Sequence, residues 1–184
     1  MWKIIMNTDK ISLIGLGKLG LPLLGTFAYH GQKIIGIDID ENKINILNNN
    51  ELPFYEHNLK EYLIGGRENI EYSFCFDEVI DKTDVVIILV NTPSNSSGEF
   101  SNKYIYDALD NVCQALKKSD KEDFLFIISS TVMPCSHDKI IHFIEENSGR
   151  ELNENFGVCY IPDLVALGSV IKDFENPDVV ILGQ

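Results

Sequence analysis

Three glycines in the stretch "ISLIGLGKLGLPL", residues 11–23, have the spacing Gly-x-Gly-x-x-Gly. Gly15 allows a sharp turn after an apolar run, Gly17 lets the backbone approach a pyrophosphate, and Gly20 lets a following helix pack closely on a sheet. The first turn of that helix presents free N–H groups and the positive end of its dipole to phosphate oxygens. A tight turn without a ligand is the alternative, but the predicted strand, helix and acid around the glycines favour a dinucleotide site.

An acidic residue stands where such a site needs a partner for the adenosine ribose. Asp38 follows Gly15 by 23 residues, close to the spacing expected for a carboxylate that accepts hydrogen bonds from the ribose hydroxyls. A carboxylate here repels a 2′-phosphate, so NAD is favoured over NADP, although Lys43 softens that preference. Asp40 is the alternative acid. Because strand alternation points both carboxylates the same way, the choice of Asp38 rests on spacing.

Apolar strand candidates alternate with amphipathic helix candidates along the chain. This order predicts an α/β fold, a doubly wound, mostly parallel sheet that forms one Rossmann-type dinucleotide-binding domain over residues 1–184. Ligands of such sheets bind beyond the carboxyl ends of the strands. The segments selected by that rule are Gly15–Gly20, Asp38, Val90–Pro93, Ser129–Pro134 and Ile161–Gly168. The predicted strands are "KISLIGL", "QKIIGIDID", "NIEYSFC", "TDVVIILVNTP", "DFLFIISSTV" and "FGVCYIPD". The predicted helices are "GLPLLGTFAYHG", "ENKINILNNN", "KYIYDALDNVCQALKKS" and "CSHDKIIHFIEENSG", and "LPFYEHNLKEYLIGG" is predicted as a loop and a short helix with glycines past its end.

The charge and the apolar pattern argue against two classes of partner. The net charge is −13 over 184 residues, which disfavours binding to nucleic acid or to an anionic membrane surface. No apolar run approaches the length of a membrane span, and the N-terminal "MWKIIM" is too short for the core of a signal peptide. We therefore expect a cytoplasmic protein that holds anionic ligands with locally arranged donors, above all backbone N–H groups.

The four cysteines, at positions 75, 113, 135 and 159, form no Cys-x-x-Cys pair. No cluster of cysteine and histidine has the spacing of a zinc site, so we expect no metal. Cysteines of this kind are most often small buried hydrophobic residues, and we expect that of all four.

Beyond the glycine loop, six segments occur in the order found in one protein family. From Ile11 to Gly183 the chain resembles the N-terminal, NAD-binding domain of the UDP-glucose/GDP-mannose dehydrogenase family. The last segment resembles the family's Pro-Glu-Phe-Leu-x-Glu-Gly sequence and the Asp-Phe-x-Asn-Pro-Asp that follows it. The six segments are "GLGKLGLPL", "GIDIDENKI", "LPFYEHNLKEYL", "VNTPSNSSGEF", "SSTVMP" and "IPDLVALGSVIKDFENPDVVILG".

The resemblance implies an NAD-dependent oxidoreductase that serves the synthesis of polysaccharide precursors. Such enzymes oxidise the C6 alcohol of a nucleotide-linked sugar to a carboxylate, and two hydrides pass to two NAD molecules. A cysteine adds to the aldehyde as a thiohemiacetal, the second hydride transfer to NAD gives a thioester, and water hydrolyses that thioester. The implied substrate is a nucleotide sugar, with UDP-glucose favoured and GDP-mannose or amino sugars left open. The full-length enzyme is expected to be a homodimer.

The same resemblance assigns cofactor contacts by position. Asp38 and Lys43 hold the adenosine side, and Thr92 and Pro93 border the cofactor near its ribose. A simple end of a strand at Thr92–Pro93 is the alternative. The residues implied at the pyrophosphate are Gly15, Gly17, Lys18, Leu19 and Gly20.

The implied catalytic residues are Thr131 and Asp163. Thr131 matches a threonine near the nicotinamide of the cofactor that helps to place a catalytic water, and a cap of the following helix is the alternative. Asp163 matches a glutamate linked to hydrolysis and acid–base work, and a solvated acid at a strand end is the alternative. The residues implied to contact the sugar nucleotide are Leu164, Val165, Ala166 and Leu167.

Three departures from the family pattern involve four residues. Asp163 is one methylene shorter than the family glutamate, Leu167 replaces a second glutamate, and Cys135–Ser136 replaces Gly-Thr. These changes indicate an altered sugar preference or a weakened active site, and they do not touch the residues implied for the cofactor.

The nucleophilic cysteine of the family has no counterpart in these residues. It lies in a glycine-rich motif that, with a catalytic lysine, an asparagine and a second domain, would follow Gln184, and Cys159 lies within a predicted strand and is no substitute. We therefore expect residues 1–184 to belong to a longer enzyme and to bind NAD without turnover alone. A non-catalytic dinucleotide-binding or regulatory module on the same fold is the alternative. A hydroxyacid dehydrogenase is disfavoured, because "NTP", "SSTV" and "DFENPD" fit the first family as a set.

Overall fold

A sheet of six strands runs through the described part of the chain, which a computed structural model gives for residues 10–94, 98 and 100–183. Every pair of neighbouring strands is parallel, which confirms the doubly wound α/β prediction and extends it, since "mostly parallel" was expected. The strands are β1 (Lys10–Ile14), β2 (Lys33–Ile37), β3 (Ile70–Ser73), β4 (Val85–Ile88), β5 (Phe124–Ile128) and β6 (Phe156–Tyr160). Their order in space is β3-β2-β1-β4-β5-β6.

The winding of the sheet reverses at β1, which pairs with β2 on one side and with β4 on the other. Ile14, the last residue of β1, is level with Ile37 of β2 and Ile88 of β4. The three following loops therefore leave the same edge of the sheet at the same height. A crevice opens at such a reversal, and it is where ligands of this architecture bind.

Seven α-helices connect the strands in the described residues. Two of them, α4 and α7, were not predicted from the sequence. They have seven and six residues, too few for a clear helical period, and they lack the glycines that mark the end of the equally short α3. The helices are α1 (Gly20–Tyr29), α2 (Glu41–Asn48), α3 (Leu59–Gly65), α4 (Phe76–Lys82), α5 (Lys103–Lys118), α6 (Ser136–Ser148) and α7 (Val170–Glu175), and Arg67–Asn69 form a short 3-10 helix.

Two apolar layers cover the two faces of the sheet. Strand residues alternate between them, so that Val86 and Ile88 face the layer with α4, α5 and α6, whereas Ile87 faces the layer with α1, α2, α3 and α7. Each fully buried aliphatic side chain of this kind contributes about 1.5–3 kcal/mol to folding. The edge of the sheet that carries the loops is thus held between two packed layers.

The cysteines do not all pack as expected. Cys113 is buried in α5, Cys75 and Cys159 are half-buried, and Cys135 is exposed in a left-handed turn with φ 63° immediately before α6. The expectation of four buried cysteines is therefore wrong for three of them, because Cys135 lies in a surface turn and the other two lie at the ends of elements rather than in a core layer.

Some predictions fall outside the described residues. They concern "MWKIIM", residues 95–97 and 99 of "VNTPSNSSGEF", and Gln184. In the ranges that the structure does describe, no helix combines the length and the apolar character needed to cross a bilayer.

Candidate functional site: a cleft at the glycine loop

The three glycines after β1 have different reasons to lack a side chain. Gly15 has φ +101°, and a Cβ there would lie 2.2 Å from the carbonyl oxygen of Leu89. A Cβ on Gly20 would lie 1.9 Å from the carbonyl oxygen of Gly15. Gly17 differs, since a Cβ would meet no described atom within 4 Å. Packing therefore requires Gly15 and Gly20, while Gly17 leaves open space beside the loop.

The loop is fixed from both neighbouring strands. The N–H of Gly15 donates to the carbonyl oxygen of Ile37 at 2.8 Å, and the N–H of Leu89 donates to that of Ile14 at 2.9 Å. Helix α1 then begins at Gly20 with neither a side-chain cap nor an acidic residue in its first turn. Its N-terminal N–H groups and the positive end of its dipole thus lack a side-chain anion, an arrangement that suits a phosphate.

Asp38 lies beside this loop with 7% of its surface exposed. Its Oδ2 accepts hydrogen bonds from Leu16 N at 3.0 Å and from Lys43 Nζ at 2.6 Å, and its Oδ1 accepts one from Asp40 N at 3.0 Å. An ionised carboxylate has about four acceptor positions, so roughly one remains for a further donor. The carboxylate is thus held in place and still able to accept one ligand hydroxyl.

Asp40, the alternative acid, is the N-cap residue of α2. Its Oδ1 accepts hydrogen bonds from the N–H groups of Asn42 and Lys43, at 3.0 and 3.3 Å, and so caps α2. The residue is exposed, whereas Asp38 is buried, because β2 ends at Ile37 and the alternation of a strand does not continue beyond it. The equal orientation expected for the two acids is therefore wrong.

A cleft of about 350 Å³ lies at this edge of the sheet, a size in the range of ligand pockets. Four predicted cofactor residues line it, namely Gly15, Gly17, Asp38 and Lys43. Val90 and Asn91, from the predicted crevice segment Val90–Pro93, also line it. The remaining lining residues were not predicted from the sequence: Ile14, Ile39, Phe76, Leu89, Tyr104, Asp107, Ala108 and Asn111.

The lining residues that were missed follow patterns in the sequence that can be recognised only once the fold is known. Phe76 opens the unpredicted helix α4 just past the carboxyl end of β3. Tyr104, Asp107 and Asn111 recur at helical spacing along α5 and form one stripe that faces the cleft. The apolar residues of α5 that pack on the sheet, such as Ile105, Leu109 and Val112, are the ones that predict a helix from the sequence, and the stripe lies beside them.

The other predicted cofactor residues lie outside the cleft lining. Lys18 is exposed, and Leu19 is half-buried at the start of α1. Thr92 is half-buried and Pro93 exposed, both after β4, and Thr131 is exposed after β5. Cys135, not Thr131, is the residue that precedes α6 at the N-cap position, so the alternative of a helix-capping Thr131 does not fit.

Ser130 lies in the predicted crevice segment Ser129–Pro134, which gave it no role of its own, and it joins the loops after β4 and β5. Its hydroxyl oxygen accepts a hydrogen bond from Val90 N at 2.7 Å and lies 3.0 Å from the carbonyl oxygen of Val90. The residue is only 1% exposed. Thr131 is therefore held at the carboxyl end of the sheet by its buried neighbour, close to the segment that leads to Thr92.

Asp163 lies after β6, outside the cleft lining. Its Oδ2 is buried and has no hydrogen-bond partner among the described residues, and this burial raises the pKa of the carboxyl to about 6. The alternative of a solvated surface acid therefore does not fit. Of the predicted substrate segment, Val165 is half-buried and Ala166 exposed, and Leu164 and Leu167 expose 57% and 64% of their surface.

The family model that matches residues 9–184 is described as the UDP-glucose/GDP-mannose dehydrogenase family, NAD binding domain. The chain belongs to this family. Its match covers nearly the whole chain and falls on the domain type that the glycine loop and Asp38 predict. The expected cofactor, NAD, is thereby confirmed for this family domain.

Proteins and structures of the family match along almost all of the chain. A UDP-glucose 6-dehydrogenase from Rickettsia bellii is 33% identical over 176 residues, or 95% of this chain and 38% of that protein. A GDP-mannose 6-dehydrogenase from Pseudomonas putida is 29% identical over 178 residues, or 95% of this chain and 40% of that protein. The crystal structure of a ternary complex of GDP-mannose dehydrogenase from Pseudomonas aeruginosa superposes with a TM-score of 0.90 at 29% identity, over 95% of this chain and 40% of that chain. The chain thus spans about 40% of the length of these family members.

Burial disfavours ionisation of the thiol in two of the cysteines. Burial raises the pKa of Cys159, which lies in β6, and raises that of Cys113 to about 12. A nucleophilic cysteine reacts as the thiolate, so a raised pKa disfavours that role. The prediction that Cys159 lies within a strand is confirmed, and the raised pKa argues further against its acting as the nucleophile.

Proposed function

We propose that residues 1–184 form the NAD-binding domain of a nucleotide-sugar 6-dehydrogenase, which oxidises the C6 alcohol of a UDP-sugar to a carboxylate. The observation that carries the proposal is the pairing of Gly17, beside open space, with Asp38, a buried carboxylate with acceptor capacity left. Both line the same cleft. A pyrophosphate beside Gly17 and a ribose hydroxyl on Asp38 are the two ligand groups that fit these features.

Residues in and beside the cleft bind different parts of NAD in this proposal. The glycine loop and the uncapped start of α1 receive the pyrophosphate, with Lys18 and Leu19 at its outer side. Asp38 accepts a hydrogen bond from the adenosine ribose, and Lys43, whose Nζ lies 2.6 Å from its Oδ2, keeps the carboxylate oriented. Bound NAD supplies the hydride acceptor. Thr92 and Pro93 border the ribose on the side of β4.

We assign the catalytic roles within this chain to Thr131 and Asp163. Thr131 helps to place the attacking water from its exposed position after β5. The carboxyl of Asp163, whose pKa of about 6 follows from burial, is suited to give and take a proton near neutral pH. The sugar nucleotide lies along Leu164, Val165, Ala166 and Leu167, two of which expose large apolar surface.

UDP-glucose is the proposed substrate. The similarity to a UDP-glucose 6-dehydrogenase at 33% identity supports it, and GDP-mannose is the second candidate because a GDP-mannose 6-dehydrogenase matches at 29%. We further propose that the complete enzyme is a cytoplasmic homodimer of polysaccharide precursor synthesis. Its cysteine nucleophile lies outside residues 1–184 in this proposal, which the 38–40% coverage of the relatives supports.

Calorimetric titration of the chain with NAD and with NADP tests the cofactor site first. We expect NAD to bind about tenfold or more tightly than NADP, because a 2′-phosphate would face the carboxylate of Asp38. The product of the complete gene is then assayed with UDP-glucose and with GDP-mannose, and two NADH are expected for each sugar oxidised. Absence of NAD binding by the chain would overturn the proposed function. Faster oxidation of GDP-mannose would change only the sugar.

A further inference from the structure

Glu56 is a buried carboxylate that the NAD cleft does not use. It belongs to the segment "LPFYEHNLKEYL" between α2 and α3, and only 7% of its surface is exposed. Its Oε2 accepts a hydrogen bond from Gly168 N at 3.0 Å, and its Oε1 accepts one from Val170 N at 3.3 Å. These partners are 112 and 114 residues away in the chain.

Gly168 is the last residue of the segment that carries Asp163, and Val170 is the first residue of α7, two positions later. This segment, residues 161–168, joins β6 to α7, and at its beginning Ile161 N donates to the carbonyl oxygen of Ile128 at 2.9 Å. Among the described contacts at its far end, Glu56 supplies the side-chain hydrogen bonds that come from outside both the segment and α7, and Ser169 makes no side-chain cap before α7. Asp163 thus lies between one backbone anchor to β5 and one carboxylate anchor from the region before α3.

The two N–H groups account for the burial of Glu56. No ion pair among the described residues includes this carboxylate. A buried charge without hydrogen bonds is strongly unfavourable, and N–H groups that donate to a carboxylate form stronger bonds than those to neutral acceptors. Glu56 is therefore solvated by the backbone at Gly168 and Val170, which couples its burial to the docking of the segment.

Helix α7 itself has other attachments. Val170 and Ile171 are 0% and 2% exposed, and Tyr62 donates to Glu175 at 2.6 Å. Asp173 accepts hydrogen bonds from Ala166 N and Ser169 Oγ, both at 2.9 Å, but it belongs to α7 and can only fold the turn onto its own helix. Loss of the Glu56 carboxylate should consequently free the segment before α7 and leave the helix docked.

We propose that Glu56 is a positioning residue that holds segment 161–168, and with it Asp163, at the carboxyl end of the sheet. The proposal rests on the proposed function, because that function gives Asp163 its work in acid–base chemistry. Glu56 acts only through the backbone of Gly168 and Val170. It is not a cofactor ligand, since it does not line the cleft.

The test compares Glu56→Ala and Glu56→Gln with Glu51→Gln, a matched control that removes an exposed carboxylate shortly before it in the chain. Amide hydrogen exchange of the 184-residue chain is measured by NMR. In Glu56→Ala we expect exchange at Gly168 and Val170 to accelerate about tenfold or more, as the loss of two charge-assisted hydrogen bonds implies. Glu56→Gln, which keeps one acceptor oxygen, should give an intermediate acceleration and also serves if the alanine variant folds poorly.

A second readout follows the titration of the Asp163 carboxyl by NMR. When the segment loosens, water reaches the carboxyl, and its raised pKa should fall towards the ordinary aspartate value in Glu56→Ala. The pKa should stay raised in Glu51→Gln. A merely structural glutamate would lower the overall stability without moving this titration.

Two results would overturn the proposal. One is unchanged exchange at Gly168 together with an unchanged Asp163 titration in both Glu56 variants. The other is equal acceleration at all amides, including those of β1, because that reports general destabilisation. NAD binding is measured on the same samples and should stay within about twofold of the parent. If the parent chain binds no NAD, the proposed function fails, whereas the exchange and titration data still decide the role of Glu56.

Discussion

The glycine loop and segment 161–168 lie at the same edge of the sheet but are held in different ways. The loop is tied to strand ends next to it in space, and its acid, Asp38, binds Leu16 and Lys43, which are 22 and 5 residues away in the chain. The segment depends on Glu56, more than a hundred residues away. A site built from local backbone geometry can be recognised from a motif. A segment held by a side chain from a distant part of the chain can shift when that one side chain is substituted, and the binding specificity of its residues can change with it.

The two regions also differ in how their acids are satisfied. Asp38 accepts three hydrogen bonds and is prepared for one more. Asp163 has a buried oxygen without a described partner and a pKa raised by burial. The first arrangement suits binding by an ionised group, and the second suits a change of protonation.

The largest effect is expected from Gly20→Ala, which tests whether the loop is held by packing. The new Cβ would lie 1.9 Å from the carbonyl oxygen of Gly15, so α1 must move away from the sheet. We expect a loss of about 3 kcal/mol or more in the free energy of unfolding, measured by urea denaturation. Gly17→Ala is the control, with a change below about 0.5 kcal/mol. Equal stability of both variants would show that packing does not distinguish these glycines.

Asp38→Asn should give the next largest effect, on cofactor choice. The amide loses the charge that pairs with Lys43 and the acceptor capacity offered to a ribose hydroxyl. We expect NAD affinity to fall about 10–100-fold and the preference for NAD over NADP to narrow, as measured by calorimetry. Asp40→Asn is the matched control, because asparagine also caps helices and this residue lies outside the cleft lining. An unchanged preference in Asp38→Asn would remove Asp38 from the cofactor site.

Gly17→Ala tests the open space beside the loop. Because the added methyl meets no described atom within 4 Å, folding should be unaffected, but the methyl would stand where the pyrophosphate approaches. We expect NAD affinity to fall about tenfold or more at unchanged stability. NAD binding equal to that of the parent chain would mean that the phosphates do not pass this glycine.

The smallest effect concerns the pH dependence at Asp163. A carboxyl whose folded pKa is raised stabilises the fold in its protonated form, and that contribution is lost as pH rises through about 6. The parent chain should therefore lose stability as the pH rises, whereas Asp163→Asn, which cannot ionise, should not lose this contribution. We expect the free energy of unfolding of the variant minus that of the parent to increase by about 1–2 kcal/mol between about pH 4 and pH 7. Denaturation at both pH values measures this difference. A difference independent of pH would show that the carboxyl is hydrated.

Much of the fold was predictable from the sequence, and the failures have physical causes. All six strands and five of the seven helices described here correspond to predicted elements. Helices α4 and α7 were missed because they are short and, unlike the equally short α3, are not followed by glycines. Phe76 in the cleft was missed together with α4. Asp38 was selected over Asp40 by spacing, and the structure shows the physical difference between them, burial against helix capping.

What the sequence alone determined is the strand–glycine–helix turn and the alternation that makes a parallel sheet. Those features depend on φ angles, on the absence of a Cβ and on periodicity, all of which are local. Only the tertiary structure decided that Ser130 joins two loops, that one stripe of α5 faces the cleft and that Glu56 reaches Gly168. Hydrogen bonds between residues 40 or 112 positions apart leave no spacing pattern in a chain, because the fold alone brings such groups together.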